Sequence, residues 1–304
     1  MNEAVRRHLH REIINSARIT GGYTFNTWLL TLSDERKVIF RACRDFITGG
    51  GRKIIITDIF EREKFFYDTV NQSLGHVCPG VYVIDGTCEY YETPFQISEY
   101  LEGTPLDKCF DGFSPREKDE IFYQYGEMAA RVNRLEINAN HPYIKSRGPW
   151  VAFFTGRLRE RLSALVKNGL ITPGEIEKFA ERMSKQKVEH TRSFLHIDMR
   201  FPNMIYNNKK IYLIDAENCE FGDPLFELAV ISLSDNLTDA FMQGYTDAGG
   251  AAPDRDSELF CLYRMERLAL VADVYLNEVE GENEMAEHYV KAFGGCVNKA
   301  RGFS

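Results

Sequence analysis

Asp198, Asn203 and Asp215 are the residues through which this chain could do chemistry. They lie in the stretch 193–228, SFLHIDMRFPNMIYNNKKIYLIDAENCEFGDPLFEL: a carboxylate, an amide five residues on, and a second carboxylate closing an apolar run. Moving a phosphoryl group from a nucleotide needs charge neutralisation and alignment more than covalent help, and these side-chain types supply both. A hydroxyl nucleophile needs a proton acceptor, a part Asp198 can play. Asn203 and Asp215 offer the hard oxygens that magnesium prefers, leaving waters and phosphate oxygens to complete its shell. Positioning them requires a hairpin. An apolar stub precedes the loop HIDMRFPN, Met204-Ile205-Tyr206 follows it, the polar Asn207-Asn208-Lys209-Lys210 reverses the chain, and Ile211-Tyr212-Leu213-Ile214 returns as a second strand. Such pairing brings Asp215 back beside Asn203.

A single H-x-D arises often by chance, and an aspartate after a strand commonly only caps a helix or turn; order, spacing and strand context together carry the reading. On those residues the segment resembles the aminoglycoside phosphotransferase and choline kinase group, relatives of the protein kinases. His196, Asp198 and Asn203 match that group's H-x-D followed five residues later by Asn, while Asp215 and Gly222-Asp223-Pro224 match its strand-ending aspartate and G-D-P before a helix. Asp215-Ala216-Glu217 lacks the glycine of the protein-kinase Asp-Phe-Gly, which favours the small-molecule branch. Ile197 stands where the group has glycine before the catalytic aspartate. Arg200 occupies an offset at which serine/threonine kinases carry a phosphate-contacting lysine; its alternative is a salt bridge to Glu217 or Glu220.

The resemblance implies an α+β, bilobal protein-kinase-like fold. A small antiparallel-sheet N-lobe, residues 1–100, binds nucleotide, and a larger, mostly helical C-lobe, residues 101–304, holds the catalytic and substrate-binding groups. It further implies ATP or GTP with Mg2+, Asp198, Arg200 and His196 as catalytic residues, and Asn203 and Asp215 as metal ligands.

Composition agrees with such an enzyme. The chain has 304 residues, 44% hydrophobic and 27% charged, a balance ordinary for a soluble globular protein of two lobes. No segment approaches a membrane span, and the charged start MNEAVRRHLHREIINSA reads as neither signal nor anchor. Seven cysteines, odd in number and without a C-x-x-C pair, point to buried or half-buried free thiols in a reduced, cytoplasmic protein. A net charge of -8 argues against nucleic acid and anionic membranes as partners and is compatible with a cationic substrate.

Along the first lobe, a helix is expected from the N-terminus to near Ile19. Gly21 and Gly22 follow, either as a plain hairpin turn or, by resemblance, as the loop that covers the nucleotide. Trp28–Leu32 and Lys37–Ala42 read as strands. The resembled group places a phosphate-binding lysine on the third strand; here Arg41 holds that place, with Arg44 as competitor and a surface arginine as the plain alternative. Residues 46–57 read as a mobile basic insertion. A helix from Asp58 carries Ile59, Phe60, Phe66, Tyr67 and Val70 as its apolar positions. On it Glu63, rather than Glu61, matches the glutamate that pairs with the third-strand cation. Two more strands, 79–86 and 95–100, end the sheet, and 101–106 resembles the linker whose backbone meets the adenine edge, with Glu99 and Leu101 as positional candidates.

Ser114-Pro115-Arg116-Glu117 is a capping box. The helix it starts has Ile121, Tyr125, Met128, Ala129, Val132 and Leu135 as a core stripe. Further helices are expected at 150–167 and 173–189. Residues 216–290 hold seventeen acidic against three basic side chains, among them Glu220, Asp235, Asp239, Glu258, Glu266, Asp273, Glu278 and Glu282. In the resembled antibiotic kinases acids in this region bind substrate amines; a solvated acidic face is the commoner explanation for any one of them. The acceptor implied is therefore a small, hydroxyl-bearing, cationic molecule. Two rivals stand beside an antibiotic kinase: a metabolic kinase of the same fold acting on choline, homoserine, a sugar or a fructosamine, and a nucleotide-binding pseudokinase, for which Arg41 and Ile197 are the best support.

Overall fold

The computed structural model describes residues 1–20, 25–43, 56–277, 279, 281 and 283–303. The first part of the chain forms helix α1 (Asn2–Leu9), strands β1 (Ile13–Ile19), β2 (Phe25–Leu32) and β3 (Lys37–Cys43), and helix α2 (Ile56–Leu74). Then come β4 (Val81–Asp85), β5 (Phe95–Glu99), the short β6 (Thr104–Pro105) and α3 (Leu106–Cys109). Helices α4 (Pro115–Asn133), α5 (Pro142–Arg147), α6 (Trp150–Ala164) and α7 (Pro173–Ser184) precede β7 (Ser193–Leu195). β8 (Met204–Asn207), β9 (Lys210–Leu213) and β10 (Glu220–Gly222) follow, and α8 (Pro224–Ile231), α9 (Asp239–Asp247), α10 (Glu258–Asn277) and α11 (Asn283–Arg301) close the chain. It divides into two compact units: Met1–Phe113 with Phe201–Cys219, and Ser114–Arg200 with Glu220–Ser304.

In the first unit a five-stranded sheet has the order β1-β2-β3-β5-β4, and each of its ladders is antiparallel. Alternation on β2, β3 and β5 sends Leu30, Leu32, Val38, Phe40, Phe95 and Ile97 into one core, which Ala4 and Val5 of α1 close. The opening helix is shorter than the sequence predicts. It ends at His10, a left-handed C-cap with φ 54°, and Ile13–Ile19 pairs with β2 instead. The β-branched isoleucines suit a strand, and the ladder of β2 satisfies backbone groups that a helix end would leave open. On α2, Phe60, Phe66, Tyr67 and Val70 are buried with Glu63 on the same face, whereas Glu61 is exposed.

The expected hairpin is present. Asn207 pairs with Lys210 across a two-residue turn in which Asn208 (φ 48°) and Lys209 (φ 63°) are both left-handed, the conformation a type I′ turn requires. β6 adds to β8, so the segment after β5 joins this small sheet. Gly103 makes that approach possible at φ 139°, since a Cβ there would lie 2.6 Å from Ile205 Cγ2 and 2.7 Å from the Tyr206 carbonyl.

The second unit is helical apart from the β7–β10 ladder. The Ser114 capping box forms, with Glu117 returning a hydrogen bond to the Ser114 backbone. Ile121, Tyr125, Ala129 and Val132 are buried, while Met128 and Leu135 are half-buried. α6 and α7 stop earlier than expected, at Ala164 and Ser184. A 3₁₀ turn ending at left-handed Gly169 replaces the last turn of α6. Among the described residues, no helix is long and apolar enough to cross a membrane.

Candidate active site

Arg41 projects from β3 into the interior of the first unit, 9% exposed, with its guanidinium 4.5 Å from the centre of the Phe25 ring. Its Nη1 donates to both carboxylate oxygens of Glu63, at 2.9 and 2.8 Å, and its Nη2 to Asp215 Oδ1 at 3.2 Å. Burial works against the charge, yet Glu63 and Asp215 keep the guanidinium pKa above its ordinary value. Glu63 is fully buried and also accepts from Tyr67 Oη (3.0 Å) and Gln96 Nε2 (3.1 Å), so its lone pairs are well used. Glu63→Gln should therefore strand the buried cation beside a weaker acceptor. We expect a loss of about 3 kcal/mol of unfolding free energy in a denaturant titration, far more than Glu61→Gln on the exposed face.

The hairpin delivers Asp215 to this cluster. The Ile214 N–H donates to the Asn203 carbonyl at 3.0 Å and the Ala216 N–H to Tyr67 Oη at 3.1 Å, with Asp215 left-handed between them at φ 60°. The Asp215 side chain remains 42% exposed. The Ile214–Asn203 backbone contact seats Asn203, whose side chain carries an amide oxygen, beside the strand end that carries the Asp215 carboxylate. Among the described residues no group of three or more His, Cys, Asp or Glu could hold a metal by itself. Two protein oxygens with the rest of the shell left to water and phosphate fit magnesium bound with a nucleotide. Glu99 uses its carboxylate on the Gly80 N–H (2.9 Å) and on His76 (2.8 Å), while Leu101 is buried. Gly21, Gly22 and Arg44 lie outside the described residues.

In the second unit, the loop around Asp198 is held from below by a residue the motif reading did not single out. Glu227, on the first turn of α8, accepts from the N–H groups of His196 (2.6 Å) and Ile197 (3.0 Å). Ile197 is fully buried and left-handed at φ 63°, a conformation that glycine adopts freely and a β-branched residue resists. The paired hydrogen bonds and the packed side chain hold it there. His196 is buried as well, its Nδ1 accepting the Asp198 N–H at 3.3 Å, and Tyr125 Oη donates to the Met199 carbonyl. α8 is placed by Asp223, which caps it by accepting from the Leu225 N–H at 3.0 Å, with Pro224 at its first position. Gly222 is required because a Cβ there would come within 2.3 Å of the Trp150 ring.

Asp198 itself is 9% exposed, and two guanidinium groups meet its Oδ1: Arg200 Nε at 3.0 Å and Arg267 Nη2 at 3.2 Å. Arg267 comes from the buried face of α10 and has no motif to announce it. Burial lifts the Glu227 carboxyl to about 7; the two N–H bonds and Arg267 oppose that lift, and the Asp198 charge adds to it. Because the folded pKa lies above the unfolded one, the native state binds the extra proton. Stability from this group is then full at pH 4 and falls as pH rises through about 7. Glu227→Gln should flatten that slope, worth about 3 kcal/mol between the two limits, in urea titrations run from pH 5 to 8.

Several acids of residues 216–290 are paired inside this unit. Glu266 pairs with Arg157 (2.6 Å) and Arg161 (3.7 Å), Glu258 with Arg182, and Asp273 with Lys167 (3.8 Å). Glu220 accepts from Tyr143 Oη at 2.6 Å. Asp235 and Asp239 are exposed, and Glu278 and Glu282 lie outside the described residues.

The profile of the phosphotransferase enzyme family matches residues 16–259, most of the chain and both units. The chain belongs to that family. Its fold recurs in solved structures of low sequence identity. A provisionally named fructosamine-3-kinase from Thermobifida fusca superposes with a TM-score of 0.71 at 16% identity, over 99% of this chain and 98% of that one. Another from Haemophilus somnus gives 0.70 at 17%, over 98% and 96%, and an ADP-bound aminoglycoside phosphotransferase gives 0.62 at 17%, over 99% of both. No curated protein matches the chain in sequence. At these identities the structural neighbours establish the kinase-like fold, an antiparallel-sheet lobe and a mostly helical one, and leave the acceptor of this family member open.

Proposed function

We propose that this phosphotransferase-family member is a nucleotide-dependent kinase that moves the γ-phosphoryl group of ATP or GTP to a hydroxyl of a small molecule. The observation that carries it is the Arg41–Glu63–Asp215 cluster: a third-strand cation, a helix glutamate and the strand-ending aspartate, each at the sequence position a kinase needs and within hydrogen-bond distance of Arg41. In this reading residues 1–100 form the nucleotide-binding lobe and 101–304 the catalytic one. Gly21 and Gly22 cover the phosphates, Arg41 neutralises them, Glu63 orients Arg41, and the backbone at Glu99 and Leu101 meets the base. Asn203 and Asp215 would hold Mg2+, which neutralises phosphate charge when bound. Asp198 accepts the proton of the attacking hydroxyl, Arg200 faces the charge of the transferring group, and buried His196 shapes the loop that carries them. Its seven free thiols, five buried and two half-buried, suit a cytoplasmic setting.

A small amine-bearing acceptor of the aminoglycoside kind is the first reading, and it is supported by structural neighbours named as a fructosamine-3-kinase and an aminoglycoside phosphotransferase. A second reading, an acceptor without amines such as a sugar, is favoured by the two guanidiniums on Asp198 and by the internal pairing of Glu220, Glu258 and Glu266. A coupled ADP-release assay over aminoglycosides, choline, ethanolamine, homoserine, methylthioribose and a fructosamine tests both. Acceptor-dependent turnover names the class. Tight Mg-nucleotide binding with no turnover on any acceptor would overturn the kinase reading in favour of a scaffolding pseudokinase.

A further inference from the structure

Away from Asp198, α10 and α11 pack so that two thiols meet at a basic cleft. Cys261 and Cys296 lie with their Sγ atoms 3.5 Å apart, and each sulfur also points at the other's backbone: Cys296 Sγ is 3.2 Å from the Cys261 carbonyl, Cys261 Sγ 3.5 Å from that of Cys296. Both line a cleft of about 330 Å³ together with Arg255, Arg264 and Lys299. The cations are fixed in place. Arg264 Nη1 donates to Ser232 Oγ at 3.0 Å, Arg255 Nη2 to the Leu237 carbonyl at 3.0 Å, and Lys299 Nζ to Asp256 Oδ1 at 2.8 Å.

We infer that Cys261 and Cys296 are an oxidation site, at which a hydroperoxide entering the cationic cleft converts the two thiols into a disulfide between α10 and α11. Cys261 is the attacking group. The hydrogen bond from Cys296 lowers its pKa first, and the charges of Lys299, Arg264 and Arg182 add to that, while burial opposes it. The same hydrogen bond and burial push the Cys296 thiol up, so it stays protonated. The Cys261 thiolate attacks the nearer peroxide oxygen, the O–O bond breaks, and the departing oxygen leaves as water or an alcohol with a proton, giving a sulfenic acid. The Cys296 sulfur then displaces that hydroxyl, forming the S–S bond, and its proton leaves with the hydroxyl as a second water. Two electrons pass from the pair of sulfurs to the peroxide, and no further reactant is needed. The two Sγ atoms, 3.5 Å apart as thiols, must close to about 2.0 Å in the disulfide.

The full-length protein treated with graded hydrogen peroxide, quenched with catalase, alkylated in denaturant and mapped by mass spectrometry tests this. The expected result is a Cys261–Cys296 linked peptide pair, with loss of two hydrogens and of two alkylation sites, at doses that leave the half-buried Cys88 alkylatable. Cys88 oxidised while Cys261 and Cys296 both remain thiols, or either of them paired first with another cysteine, would overturn it. In Cys296→Ser, dimedone should trap a sulfenic acid on Cys261; in Cys261→Ser, Cys296 should stay unmodified, and the reverse pattern would refute Cys261 as the attacking thiolate. Lys299→Gln should slow formation severalfold with the same product, and an unchanged rate would show that the cleft's charge plays no part. The pairing map of the unsubstituted chain decides the central point even where a variant fails to fold.

Discussion

Asp198→Asn should lower turnover by about 10²–10⁴-fold while leaving nucleotide affinity within a few-fold, the usual contribution of a positioned proton acceptor. Asparagine is the informative replacement because it keeps an oxygen for Arg200 and Arg267 and the shape of the loop, and removes only the basic lone pair. Alanine would also take away the carboxylate that balances Arg267, a residue buried on α10 with one nitrogen that has no hydrogen-bond partner among the described residues, and would mix a stability loss into the result. Single-turnover kinetics with the best acceptor from the screen make the measurement. A rate within about threefold of the unsubstituted enzyme, equivalent to under 1 kcal/mol of transition-state stabilisation, would remove Asp198 from the chemistry.

Asp215→Asn should abolish both turnover and magnesium-dependent nucleotide binding. In the proposed mechanism the carboxylate has two tasks: it would offer the anionic oxygen that a hard cation needs, and it accepts from Arg41 Nη2 at 3.2 Å. Asparagine supports neither charge. Since Asp215 is 42% exposed and Glu63 keeps its grip on Arg41, the melting temperature should fall little. Calorimetry with and without magnesium separates the tasks: an affinity for nucleotide that no longer responds to the metal marks loss of the ligand, and unchanged Mg-nucleotide affinity with full activity would sink the role. Glu217→Gln is the control. Glu217 lies 3.7 Å from the same guanidinium, and its replacement should leave metal dependence intact.

What the chain's sequence determined by itself follows local rules. The β8–β9 hairpin, the Ser114 capping box, the apolar stripe of α4 and the Asp223-Pro224 start of α8 each depend on residues within a few positions of one another, so spacing alone specifies them. The Arg41–Glu63 pair was legible too, through resemblance to a family whose strand and helix carry a cation and an acid at those places, and the described geometry brings them together. The N-terminal segment went the other way. Its charged start reads as one helix through Ile19, but a strand forms from Ile13 because β2 offers it a ladder, a benefit invisible in the segment's own residues. The same holds around Asp198. Glu227 reaches back 31 residues to the His196 N–H and Arg267 reaches back 69 to Asp198, and neither position carries a periodic or motif signal. Charge pairing was likewise decided only by packing: the acids of residues 216–290 read as a solvated face or as substrate-facing groups, and three of them, Glu258, Glu266 and Asp273, are instead met by Arg182, Arg157, Arg161 and Lys167 from preceding helices. Short-range geometry is written into the order of side chains, whereas the partner of a buried charge depends on which distant elements share its core, and that is fixed by the packing as a whole.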